Sequence, residues 1–151
     1  MARELPHNIV IDNAPDEADR TFLVERIREF NDRISPYHRA AREEGVRPLA
    51  FFARDEEGQI VAGLTAELYW GWMFVDDLWV HESLRGLGYG SRLLAMAETE
   101  ARKRDCERAW LRTFSFQARA FYEKYGYRVV GQLDDYPPGE AFYWMRKDMV
   151  T

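Results

Sequence analysis

Apolar and polar positions change rhythm several times along this chain of 151 residues, and each change marks an element. The run HNIVID (7–12) reads as a short strand. From Asp16 onward Leu23, Ile27, Phe30 and Ile34 recur at helical spacing behind APDE, a helix start with early acids. Pro36 stops that helix, because a proline ring cannot continue the hydrogen-bond ladder. RPLAFFARD (47–55) and QIVAGLTAELYW (59–70) predict a hairpin whose turn is set by Gly58. WMFVDDLWV (72–80) is a further extended run after Gly71 and completes a three-stranded meander.

The period then switches. From Tyr89, the residues Leu93, Leu94, Ala97 and Ala101 form one face of a helix, with Arg92, Glu98, Arg102 and Lys103 on the other. RAWLRTF (108–114) reads as a strand. Ser115 is placed to cap a helix carrying Ala118, Phe121, Tyr122 and Tyr125, and Gly126 to end it. YRVVGQL (127–133) and AFYWMRKDM (141–149), separated by DDYPPGE, close the chain as two more strands. The expectation is about seven strands and four helices in a mixed α/β (α+β) fold. No repeat, low-complexity tract or long linker interrupts it, so residues 1–151 are expected to be a single domain.

Composition narrows the function classes. Twenty-one basic residues are dispersed among 26 acidic ones for a net charge of −5, which gives no electrostatic footprint for nucleic acid or an anionic membrane and suits a cationic substrate. No apolar run reaches the length of about 18 residues that a membrane helix needs, no signal-peptide pattern appears, and the cytoplasm is the expected address. The single Cys106 is expected to be a small buried hydrophobe rather than a nucleophile. His7, His38 and His81 are scattered without ligand spacing, so no metal is expected.

The candidate chemistry starts at RGLGYG (85–90), where three alternate glycines sit between a strand and a helix. A helix N-terminus carries unpaired N–H groups and about half a positive charge, and a glycine-rich approach lets successive amides close around an anion such as a pyrophosphate. The loop has no G-K-[ST], which excludes a P-loop, and it lacks the final spacing of G-x-G-x-x-G, which disfavours a dinucleotide site.

Arg85-Gly86-Leu87-Gly88-Tyr89-Gly90, after a strand ending L-x-V and opening an amphipathic helix, resembles the acetyl-CoA pyrophosphate loop of the GNAT N-acetyltransferase superfamily. About thirty residues on, SFQARAFYEKYGY (115–127) is similar to that superfamily's second signature, N-x-x-A-x-x-x-Y-x-x-x-G-F/Y, with Ala118, Tyr122, Gly126 and Tyr127 in register. Ser115 stands where the family often has Asn. The resemblance covers residues 45–149. It implies a GNAT acyl-CoA N-acyltransferase fold, a mostly antiparallel sheet splayed at its fourth strand (72–80) with helices on both faces. It also implies acetyl-CoA as cosubstrate and a small-molecule or peptide amine as acceptor, and it leaves room for a homodimer.

Acetyl transfer to an amine needs a proton acceptor, a polarised carbonyl and a protonated leaving thiol. An amine with a lysine-like pKa of about 10.4 must lose a proton, and VDDLW offers two carboxylates. Strict strand alternation puts Asp76 with Phe74, Leu78 and Val80 on one face and Asp77 with Val75 and Trp79 on the other. Polyamine acetyltransferases, which this stretch resembles, use a Glu at the position of Asp76, and that resemblance points to Asp76 as base, acting through a bridging water. The family resemblance assigns the thiolate's proton to Tyr122. It assigns the cofactor's carbonyl and pantetheine to the backbone of Leu78, Trp79 and Val80, its pyrophosphate to Arg85 through Gly90 with Ser91, and a further contact to Ser115. The alternative from another class is a non-catalytic acyl-CoA-binding regulatory module, for which Ser115 and the short carboxylate speak.

Overall fold

A computed structural model of the chain describes residues 8–150, which fall into two compact units, Met1–Glu43 and Glu44–Thr151. In the first, α1 (Glu17–Ile34) starts at a reciprocal cap. The Asp16 carboxylate accepts the Asp19 N–H at 2.9 Å, and the Asp19 carboxylate accepts the Asp16 N–H at 3.0 Å. Two orphan helix donors are thereby satisfied. α1 stops before Ser35, and Pro36 opens α2 (Pro36–Glu44) at a first-turn position where its missing N–H costs nothing.

Residues 8–12 are not a strand, contrary to the expectation for 7–12, of which His7 lies outside the described residues. Ile9, Val10 and Ile11 are 64%, 88% and 93% exposed. Among the described residues they have no partner strand to satisfy their backbone and no face to bury, so their apolar composition does not produce a strand.

The second unit is built on one six-stranded sheet in the order β1-β2-β3-β4-β6-β5. The strands are β1 (Arg47–Arg54), β2 (Ile60–Tyr69), β3 (Trp72–Val80), β4 (Arg108–Phe114), β5 (Arg128–Asp134) and β6 (Ala141–Asp148). β1, β2 and β3 form the expected antiparallel meander. β3 and β4 are parallel, as the intervening helix α3 (Tyr89–Lys103) requires. One face of the sheet supplies Leu64, Leu68, Met73, Leu111 and Met145 to the core, which Leu93, Leu94, Ala97 and Ala101 of α3 complete. At its rim Glu98, whose side chain is 7% exposed, accepts Lys147 Nζ at 2.7 Å and the Tyr127 hydroxyl at 3.2 Å.

Two irregularities position the site. β3 and β4 pair only at Trp72–Phe74 against Arg108–Trp110 and then diverge. The divergence is the expected splay. β3 also carries a bulge: Thr65 faces Asp77 and Ala66 faces Val75, which leaves Asp76 as the extra residue. The bulge overturns strict alternation, since a one-residue insertion inverts the parity of everything after it. Val75 shares its face with Leu78 and Val80, whereas Phe74 shares the opposite face with Asp77 and Trp79.

Candidate active site

Between the diverging ends of β3 and β4 lies a cavity of about 720 Å³. Its walls come from three places: the last residues of β3, the glycine loop with the start of α3, and the short helix α4 (Arg119–Lys124). Of the residues singled out in the sequence, Leu78, Trp79, Val80, Arg85, Gly86, Gly88, Tyr89, Gly90, Ser91 and Tyr122 line it; Asp76, Asp77, Leu87 and Ser115 do not.

The glycine loop takes the conformation its composition anticipates. Gly86 and Gly88 have φ of +78° and +87°, and Gly88 is the N-cap of α3. A Cβ on Gly86 would meet nothing within 4 Å, and one on Gly88 only Ser91 Oγ at 3.9 Å, so open space lies before both. The Gly88 carbonyl accepts the Arg92 N–H at 3.0 Å and the Ser91 hydroxyl at 3.0 Å. Because that carbonyl takes the first helical bond, the amides of Tyr89, Gly90 and Ser91 have no intrahelical acceptor. These amides, the open approach and Lys124 on the cavity wall fit a pyrophosphate.

On β3 the hydrogen-bond parity separates three residues that the sequence reading treats alike. His81 donates its N–H to the Val61 carbonyl at 2.8 Å, while Arg85 Nε reaches the Val80 carbonyl at 3.2 Å from the other side. Antiparallel alternation then directs the backbone of Trp79 to Gly63 of β2 and turns that of Leu78 and Val80 into the cleft. Backbone pairing with a ligand is thus available from Leu78 and Val80, and Trp79 contributes its side chain.

Tyr122 lies on α4, 7% exposed, with its ring against Phe121 and Tyr127 at 5.2 and 5.7 Å. Burial, reinforced by the negative charge of Asp77, pushes its phenol up to about 12. Asp77 is therefore within electrostatic reach of the Tyr122 hydroxyl. Ser115 does not cap α4: the N-cap is Ala118, whose N–H is accepted by Thr113 Oγ1 at 3.4 Å. Ser115 instead donates its hydroxyl to the Glu140 carboxylate and accepts the Ala141 N–H at 2.9 Å, tying the end of β4 to the start of β6. Cys106 is buried, and burial pushes its thiol up, which keeps it protonated and unreactive.

Phe116, Gln117 and Lys124, which no sequence motif marks, also line the cavity. Phe121 and Tyr125, whose sequence spacing marks a helix face, line it too, and their spacing with Tyr122 is the signal that points to them.

The sequence model of the Acetyltransferase (GNAT) family matches residues 12–127. A blasticidin-S acetyltransferase of Streptomyces morookaense is 40% identical over 131 residues, covering 82% of this chain and 96% of the relative. An acetyltransferase of Agrobacterium fabrum is 37% identical over 105 residues, covering 70% of this chain and 77% of its own length. The crystal structure of an acetyltransferase from Bacillus cereus superimposes with a TM-score of 0.81 at 32% identity, covering 93% of this chain and 97% of that one. Catalytic relatives on this scale set aside the reading as a non-catalytic binding module: the chain belongs to the GNAT family and is an acetyl-CoA-dependent N-acetyltransferase.

Proposed function

We propose that the chain, acting as one catalytic domain, N-acetylates a primary amine of a small molecule by direct attack within a ternary complex. The observation that carries the reading is the end of β3–β4 pairing after Phe74. It opens a cleft bounded by the free backbone edge of Leu78 and Val80, the amides at the start of α3 and the Tyr122 hydroxyl. The blasticidin-S acetyltransferase, at 40% identity over nearly its whole length, favours an antibiotic-like amine.

Each group has a role set by its position. The amides of Tyr89, Gly90 and Ser91, with Arg85 and Lys124 nearby, hold the pyrophosphate of acetyl-CoA, and Gly86, Leu87 and Gly88 keep the approach open. Leu78 and Val80 pair with its pantetheine as an added strand would and polarise the thioester carbonyl. A carboxylate of the Asp76–Asp77 pair accepts the proton that the amine loses. Asp77 is favoured, because it shares a face with Phe74 and perturbs Tyr122, whereas Asp76 sits in the bulge. As the amine nitrogen bonds to the carbonyl carbon and the C–S bond breaks, Tyr122 donates a hydrogen bond to the departing sulfur. Ser115 acts by holding Glu140 rather than by touching the cofactor.

Thiol release from acetyl-CoA, measured against an amine panel that includes blasticidin S, tests the reading. Intersecting initial-velocity lines are expected. Parallel lines would replace the ternary complex with an acetyl-enzyme, and no release above hydrolysis with any amine would end the proposal.

A further inference from the structure

A second cavity, of about 470 Å³, lies on the sheet face turned away from α3. Strand alternation builds its floor. Trp110 stands between Ala109 and Leu111, both buried in the core under α3, so its indole projects to the opposite face. The register brings Arg146 of β6 opposite Trp110 and Arg128 of β5 opposite Arg146, all on that face. Trp72 joins them from β3, with the Arg146 guanidinium over its ring at 4.9 Å. Trp144 completes the floor. A Cβ on Gly131 would press on the Trp144 ring at 3.1 Å, so the bare backbone there is what lets the indole lie against β5. At the rim Trp70, 47% exposed, meets Tyr69 edge-on at 5.1 Å.

Charge around this aromatic floor is unbalanced. No carboxylate lines the cavity among the described residues. Asp148, just outside it, is shared by three arginines: its Oδ1 accepts Arg146 Nη2 at 2.6 Å and lies 3.7 Å from Arg108 Nε. The hydrogen bond from Arg146, then the charges of Arg146, Arg128 and Arg108, hold the Asp148 carboxyl below its usual range. Arg128 itself forms no ion pair among the described residues, and Arg146 Nε is buried without an acceptor. In a chain of net charge −5 this is a local cationic excess.

Several aromatic rings around a few convergent polar groups are the usual make-up of a small-molecule site, and 470 Å³ suits a ligand of one or two rings. None of the residues lining this cavity lines the transfer cavity. The floor also straddles the short β3–β4 pairing, with Trp72 on one side and Trp110 and Trp144 on the other.

We propose that this cavity is a second binding site, separate from the transfer cleft, for a small planar aromatic carboxylate. The rings stack among Trp72, Trp110 and Trp144, the carboxylate pairs with Arg128 and Arg146, and the ligand spans the junction of β3 with β4.

Three probes of similar size separate the elements of the claim: 2-naphthoate is planar and anionic, 2-naphthamide planar and neutral, and decahydro-2-naphthoate anionic and saturated. Isothermal titration into enzyme saturated with coenzyme A keeps the transfer cavity filled. 2-Naphthoate is expected to bind one per chain, with a Kd lower than that of either other probe by roughly tenfold or more, the scale of one charge-assisted contact. Arg128→Gln should raise the naphthoate Kd by a similar factor and leave that of the amide nearly unchanged. Val130→Glu, which sets a negative charge on an exposed position of the cavity wall, should do the same. Unchanged melting temperature and coenzyme A affinity identify both variants as folded. No binding of 2-naphthoate at millimolar concentration, equal Kd values for the three probes, or a naphthoate Kd untouched by both substitutions would overturn the inference. So would an apparent Kd that rises with protein concentration, the mark of a second copy covering this face.

Discussion

Replacing Tyr122 with Phe removes one oxygen and leaves the ring, so the contacts with Phe121 and Tyr127 survive. The consequence for catalysis follows from the phenol's acidity. Tyr122 is pushed up to about 12, first by burial and then by Asp77. A coenzyme-type thiol has a pKa of about 8.5, so complete proton transfer from this phenol would be uphill by roughly 3.5 units, or about 5 kcal/mol. On the proposed mechanism Tyr122 therefore acts by hydrogen-bonding the developing thiolate, a contact to a charged group worth about 1.5–3 kcal/mol. At 1.36 kcal/mol per tenfold that is a loss of about 10- to 200-fold in kcat for Tyr122→Phe, with acetyl-CoA affinity near that of the wild type. The raised pKa also sets the sign of the pH dependence. The phenol keeps its proton throughout the working range, so the loss should be the same factor at every pH from about 7 to 10, well below its titration. Steady-state kcat across that range, with melting temperature on the same preparation, is the assay. Full activity in Tyr122→Phe, or a deficit that fades with an apparent pKa near 9, would refute the reasoning.

Gly88→Val should abolish acetyl-CoA binding without unfolding the chain. Its Cβ would meet only Ser91 Oγ at 3.9 Å, and the φ of +87° costs a side chain about 1–2 kcal/mol, but the methyls would stand before the amides of α3; calorimetry on the folded variant checks this. Asp77→Asn should lower kcat/KM at neutral pH more than Asp76→Asn does, and the opposite ranking would return the base to the bulge residue. Lys147→Met strips the buried Glu98 of its 2.7 Å cation and should cost about 3 kcal/mol, most of it recovered by adding Glu98→Gln; thermal denaturation of the single and double variants measures it.

Elements whose signal is local were legible in the sequence. The glycines at 86 and 88 occupy positions where the chain must take positive φ, and the three strands from Arg47 to Val80 alternate around a shared core. What escaped depends on partners distant in sequence. Val-Asp-Asp-Leu reads as unbroken alternation, and only the register with Thr65 and Ala66 reveals that Asp76 is extra. Ser115 has the chemistry of a helix cap, yet the Glu140 carboxylate, 25 residues away, claims its hydroxyl. Ile9–Ile11 carry a strand's composition without a strand's neighbour. The roles of Leu78 and Trp79 separate only once the carbonyl of Val80 is seen to receive Arg85.

The brief union of β3 with β4 also bears on how the protein breathes. Three residue pairs are the whole seam between a half-sheet of β1, β2 and β3 and another of β4, β6 and β5, while each half is zipped internally along most of its length. Such halves are expected to open as separate cooperative units, with the seam the least protected line in the sheet. A ligand held on one side by the backbone of Leu78 and Val80 and on the other by the residues after β4 that line the same cavity would slow hydrogen exchange on both sides at once. The apo enzyme should then show two protection levels in its sheet and the liganded enzyme one.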